Sequence, residues 1–150
     1  MKAPAPHRFS TEDYHRLGEL GFFAPDARVE LLDGEIHDMS PIGPLHGGVV
    51  NRLNRLFNLA AKGRWIVSAQ NPVDLDKYSE PEPDVVLLKP APDDYVSHHP
   101  VPDDVLLLIE VADSSLEFDR RKKLPTYARS GIRDLWIVNL QESEIGRAHV

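Results

Sequence analysis

The chain has no cysteine, which excludes disulfides and thiolate zinc sites. No apolar stretch near its start could serve as a signal peptide or a membrane span, so a cytoplasmic protein without a membrane partner is expected. Positive charge is scarce as well: 17 Lys and Arg stand against 24 Asp and Glu, a formal net charge of −7. Phosphate binding is driven by Lys and Arg that release counterions, so this balance opposes a whole surface built to grip a polyanion. What is present is ordinary globular material. At 150 residues, 41% apolar and 27% charged, residues 1–150 are expected to form a single domain around one core.

The stretch from Pro83 to Lys123 organises the rest. Val85-Val86-Leu87-Leu88 is short, apolar and preceded by prolines, and reads as a strand buried on both faces with Asp84 at its mouth. Val105 to Val111 is apolar near its end except at Glu110, and a carboxylate in such a place must find a cation or a proton. If the two strands are neighbours, Asp84 and Glu110 converge, and two carboxylates with water suit a hard divalent ion such as Mg²⁺, with Mn²⁺ as an alternative. Lys123 would add a cation beside that ion, able to orient a water or neutralise developing charge. Acid, acid and amine together suit phosphodiester hydrolysis.

Pro83-Asp84, then Glu110, then a lysine resembles the PD-(D/E)XK nuclease superfamily. Within it, Ser79-Glu80-Pro81-Glu82-Pro83-Asp84, Ile109-Glu110-Val111-Ala112-Asp113-Ser114-Ser115 and Lys123 to Ile132 followed by Leu135-Trp136-Ile137-Val138 resemble the Uma-two family of restriction endonucleases, from about Phe9 to Asn139. The superfamily lysine two positions after the glutamate is replaced by Ala112; the family carries it on the following helix, where Lys123 matches and Lys122 stays open. The resemblance also implies that Glu30 supports the metal site, that Gln70 borders it, and that His46, near Pro41-Ile42-Gly43-Pro44, contacts the substrate.

In chain order, residues Met1 to Arg8 read as a loose arm, and Ser10 caps a helix ending near Gly21. Two strands around Asp33-Gly34 read as a hairpin whose turn needs positive φ twice. On its first strand Glu30 alternates with Val29 and Leu31 and so faces away from them. Leu45, Val49, Leu53, Leu56, Phe57 and Ala60 recur at helical spacing with Arg52 and Arg55 opposite, giving an amphipathic helix that packs on the sheet. Trp65 to Ala69 and Val73 to Asp76 read as two strand pieces broken at Asn71-Pro72, with Gln70 at the break. Lys89 to Asp104 is a proline-rich loop, and its His98-His99 pair an exposed turn. Phe118 to Ser130 is helical, stopped at Gly131, with Pro125 tolerable only in a first turn, so Lys123 should sit near a helix start. The cluster Arg120-Arg121-Lys122-Lys123 is the densest positive run; Arg120 is taken as a phosphate contact. The tail from about 144 to 150 shows no periodicity and resembles a translated sequencing-adapter read, so it is set aside as non-native, and the family's closing strands are taken to be missing.

The expectation is therefore an α/β fold, a restriction-endonuclease-like core with a mixed sheet flanked by helices. Catalysis would rest on Glu30, Asp84, Glu110 and Lys123, with the metal on Asp84 and Glu110 supported by Glu30, and substrate contacts from Gln70, His46 and Arg120. The substrate would be nucleic acid, with DNA expected first, and a homodimer is expected because cutting two strands with one site per chain calls for a pair. Two alternatives stand beside this: a non-catalytic interaction domain of the same fold, and a metal-dependent hydrolase of a smaller phosphodiester.

Overall fold

The computed structural model describes residues 2–149; Met1 of the expected arm and Val150 of the tail lie outside the described residues. Helix α1 (Thr11–Glu19) opens on a complete capping box. Ser10 Oγ accepts from the Asp13 N–H and Asp13 Oδ2 accepts from the Ser10 N–H, an arrangement worth about 1 kcal/mol. Strands β1 (Val29–Leu32) and β2 (Glu35–Asp38) pair antiparallel through a turn in which Asp33 and Gly34 have φ of 52° and 82°. Glycine is required there twice over, because a Cβ on Gly34 would also lie 2.6 Å from the Cβ of Arg8. That contact pins the end of the arm, whose Arg8 pairs with Asp33 at 2.8 Å.

Helix α2 (Pro44–Ala61) and strands β3 (Ile66–Ala69), β4 (Val85–Leu88), β5 (Val105–Ala112), β6 (Asp134–Asn139) and β7 (Glu144–His149) build the core. The five strands form one mixed sheet in the order β3-β4-β5-β6-β7, antiparallel except for the parallel β5/β6 pair. A parallel pair needs a crossover; here it is a helical segment running over residues 116–129.

The two faces of the sheet follow from strand alternation. Val85, Ile109 and Val111 lie against Val49, Val50, Leu53 and Phe57 of α2. Val86, Leu88 and Leu108 lie on the other side with Tyr127, Ile132 and Leu135. The helix meets the sheet with a narrower stripe than its periodicity suggested. Leu45 and Leu56, read from the sequence as inward, are 58% and 50% exposed, and Val50 and Ala61 take the inward positions. At 100° per residue Val50, Leu53, Phe57 and Ala61 share one line, and the apolar residues beside that line simply face water.

Three further expectations are revised. Val73 to Asp76 does not form a ladder strand: its backbone bonds back to the returning segment, Val73 N–H to Pro81 O and Leu75 N–H to Ser79 O, closing a local loop after Pro72. The segment 116–129 is not a helix starting beside Lys123. A short helix α3 (Leu116–Phe118) runs into a π turn, Asp119–Lys123, and then into α4 (Leu124–Arg129). Pro125 has no N–H for an α-type bond to Arg121 and its ring would strike that carbonyl; the widened turn before it absorbs both problems. The tail, set aside from the fold for want of periodicity, pairs along β6 as the edge strand β7, because a β ladder is made by backbone groups and asks little of side chains at an edge.

Candidate active site

The sheet register builds the site. Val85 pairs with Ile109, so one step further Asp84 stands across from Glu110, and opposite residues in an antiparallel pair project to the same side. Glu110 alternates with Ile109 and Val111 and so leaves the α2 face for the side covered by residues 116–129. The hairpin brings Glu30 alongside through a bridge between Leu31 and Glu80. The π turn delivers Asp119 and Lys123 from above. Glu30, Asp84, Glu110, Asp119 and Lys123 are all at most 7% exposed.

Lys123 Nζ is the hub. It lies 2.9 Å from Glu30 Oε1, 3.3 Å from Glu110 Oε1 and 4.0 Å from Asp119 Oδ1. Burial opposes its charge, but these carboxylates outweigh burial and hold the ammonium above the ordinary lysine range. Glu110 Oε1 also accepts from the Tyr127 hydroxyl, so the hydrogen bonds to Glu110 converge on one oxygen. Glu30 Oε2 accepts from the Glu82 N–H and Asp119 Oδ2 from the Ser115 hydroxyl. Asp84 Oδ2 accepts from the Val111 N–H at 2.8 Å, and His46 Nε2 lies 3.3 Å from both Asp84 oxygens.

These surroundings split the acids into two kinds. Burial alone would raise Asp84, yet its bonds to His46 and Val111 hold it below the ordinary aspartate value, and the same bond raises His46. Burial pushes Glu110 well above the usual glutamate value; Lys123 pulls back, while Asp84, Asp119 and Glu30 push further. Asp119 is pushed up to about 6, again chiefly by burial. Four buried carboxylates share one ammonium and one imidazole, so burial and mutual repulsion push Glu110 and Asp119 upward while Asp84 is held down.

The cluster forms the floor of a cavity of about 430 Å³, lined also by Arg28, His37, Ser40, Ser114 and Phe118. Among the described residues no three His, Asp or Glu side chains already surround a metal position, because Asp84 and Glu110 are turned to protein donors. The donor set nonetheless fits a hard divalent cation: all-oxygen acids, adjacent, in negative surplus and open to a cavity.

The family description "Uma2: Putative restriction endonuclease" matches residues 11–147. The chain belongs to the Uma2 family. A solved structure from Anabaena variabilis ATCC 29413, described as a putative nuclease belonging to DUF820, is similar with a TM-score of 0.73 over 94% of this chain and 79% of that one. At 10% identity that likeness shows the fold, a mixed sheet with helices of the restriction-endonuclease-like type. No curated protein matches the chain.

In this Uma2 member the geometry sorts the residues picked out from sequence. Glu30, Asp84, Glu110, Lys123 and His46 meet at the cavity. Lys122 does not compete with Lys123, since it leaves for Glu35 at 2.9 Å on the hairpin. Arg120 is not brought to this cavity: it is exposed and lines a separate depression against Leu135 and Asn139, because the turn that points Lys123 inward points Arg120 away. Gln70 is a second such residue. Its backbone N–H reaches Pro83 O and Asp84 O with φ of 55°, but its side chain is not among the cavity lining. Sequence reading missed Asp119, Tyr127 and Arg28. The first was legible four residues before Lys123, and Arg28 two before Glu30; Tyr127 looked like core.

Among the described residues no helix is long and apolar enough to cross a membrane.

Proposed function

We propose that this chain is a metal-dependent endonuclease that hydrolyses phosphodiester bonds of nucleic acid, DNA first, using Mg²⁺ or Mn²⁺ held by Asp84 and Glu110 with Glu30 in support. The observation that carries the reading is the surplus of buried carboxylate around Lys123 at the floor of an open cavity in a Uma2 member. Buried acids without cations are costly, and a divalent ion offsets that cost. When bound, such an ion polarises a phosphoryl oxygen and lowers the pKa of a water.

The protein's own side chains do the placing. Tyr127 and Lys123 hold one oxygen of Glu110, leaving the other available as a ligand, and His46 with the Val111 N–H orients Asp84. Lys123 keeps its proton among three carboxylates, so its part is to donate to a water or a phosphate oxygen, not to take a proton from it. A pair of chains would supply two such sites for two strands, which light scattering of the purified protein tests.

The decisive assay is nicking of supercoiled plasmid with Mg²⁺ or Mn²⁺, with and without chelator, for the native chain and Asp84→Ala. Ion-dependent nicking lost in the variant, with an unchanged circular dichroism spectrum, supports the proposal; equal nicking by the variant removes the assignment. Ion-dependent hydrolysis of bis(p-nitrophenyl) phosphate without plasmid nicking would favour the smaller-phosphodiester alternative. Absence of both, with no heat of ion binding, would favour an interaction domain.

A further inference from the structure

Lys123 already bonds Glu30 and Glu110 and is taken up at the reacting centre, so a neighbouring phosphate calls for another cation. Among the described residues the cavity lining contains one other Lys or Arg side chain, Arg28. It stands two residues before Glu30 on the extended run into β1, and alternate positions on such a run share a side. Arg28 therefore faces the cavity for the same reason Glu30 does.

Its guanidinium makes one hydrogen bond, and its charge is felt by Glu82, whose carboxyl it draws down against the pull of burial. Nη1 donates to Ser40 O at 3.1 Å, and among the described residues no carboxylate lies within ion-pair distance, although Arg28 is partly buried. A guanidinium has five N–H donors in a rigid fork matched to phosphate oxygens, so most of that capacity remains. The bond to Ser40 is not needed to hold the 39–43 segment against β1, because the Met39 N–H already donates to the Arg28 carbonyl.

We propose that Arg28 grips a phosphate of the nucleic-acid strand next to the one hydrolysed, the contact that lets an acidic protein seat a polyanion at an acidic cavity. This rests on the nuclease reading above. It replaces Arg120, which lies elsewhere, as the phosphate contact. A cation at this place offsets the repulsion between the substrate backbone and the carboxylates while standing clear of the ion they would hold.

The test is single-turnover cleavage of a labelled duplex by the full chain at several salt concentrations, comparing the native protein with Arg28→Ala, Arg28→Gln and Arg120→Ala. Arg28→Gln retains an amide donor for Ser40 O but no charge, so it keeps the test alive if the alanine variant folds poorly. The expected result for both Arg28 variants is a half-saturating concentration raised about tenfold to a hundredfold. The slope of its logarithm against log salt should fall by about one, with little change in the rate at saturation, and Arg120→Ala should match the native protein. An unchanged salt slope and half-saturation in Arg28→Gln, with native cleavage intact, overturns the Arg28 assignment alone. If the native chain cleaves nothing, the nuclease reading falls and this assignment falls with it.

Discussion

Ile109 and Glu110 are neighbours on one strand, both almost wholly buried, yet the sheet sends them into opposite worlds. Ile109 enters an apolar layer under α2 in which many side chains of similar size would serve. Glu110 enters a layer where every partner is named: Lys123, Tyr127 and, across the ladder, Asp84. The first face stabilises by area, without direction; the second gives up stability to hold like charges together. An accumulation of buried acid is what a core selected only for folding would avoid.

The sharpest way to break that contrast is to exchange the two costs. Glu110→Gln keeps the shape and an acceptor for the Tyr127 hydroxyl but removes the charge proposed to hold the ion, so on that proposal ion-dependent cleavage should fall about a hundredfold or more. The melting temperature without metal should hold or rise; a drop of many degrees would make Glu110 a structural residue. Ile109→Ala should do the reverse, costing about 2–5 kcal/mol of stability, read by urea unfolding, while the surviving folded fraction cleaves normally.

Next in size is the turn that aims Lys123. Pro125→Ala restores the missing N–H, so the π turn can relax to α geometry and swing Lys123 off its carboxylates. Cleavage should drop about tenfold to a hundredfold with helical dichroism preserved; native activity in this variant would show that the turn does not set the lysine.

Acidity offers a gentler probe. Glu110 and Asp119 have folded values above the ordinary carboxylate range, so the stability they contribute is complete near pH 4 and is lost as pH rises through those values, about 6 for Asp119. His46, also raised, acts in the same direction through its own range. Asp84, lowered, acts oppositely but only below about pH 4. The metal-free protein should therefore melt progressively lower from about pH 4 to pH 7, by a few degrees. Saturating Mg²⁺ or Mn²⁺ should flatten that trend; a metal-free melting temperature that climbs over this range would contradict the surplus-charge account. The smallest effect belongs to Arg120→Ala, expected within about 0.5 kcal/mol of native stability and at native cleavage rates.

Much of this could be seen before any coordinates. Glu110 betrayed itself as a lone acid in an apolar strand, Asp33-Gly34 as a hairpin turn, and Pro83-Asp84 as the entry to a buried strand. Arg120 drew notice because it heads a dense basic run, whereas a helical turn sends successive residues in different directions and carries it away from the cavity. Asp119 and Tyr127 escaped because an acid near a basic run reads as surface and a helical tyrosine reads as core. Leu45 and Leu56 were placed inward because periodicity marks a face but not how wide a stripe the sheet will cover.

The amino-acid order by itself determined the hairpin, the amphipathic helix, the two-sided burial of β4 and the identity of the acids out of place at β4 and β5. Those are local facts, set by alternation, turn chemistry and the cost of stranding a charge. Only the tertiary structure decided which cation answers those acids, Lys123 over Lys122, and which basic side chain besides it lines the cavity, Arg28 and not Arg120. That choice depends on strand register and on the rotation of one turn, and both are settled by packing between segments far apart in the chain.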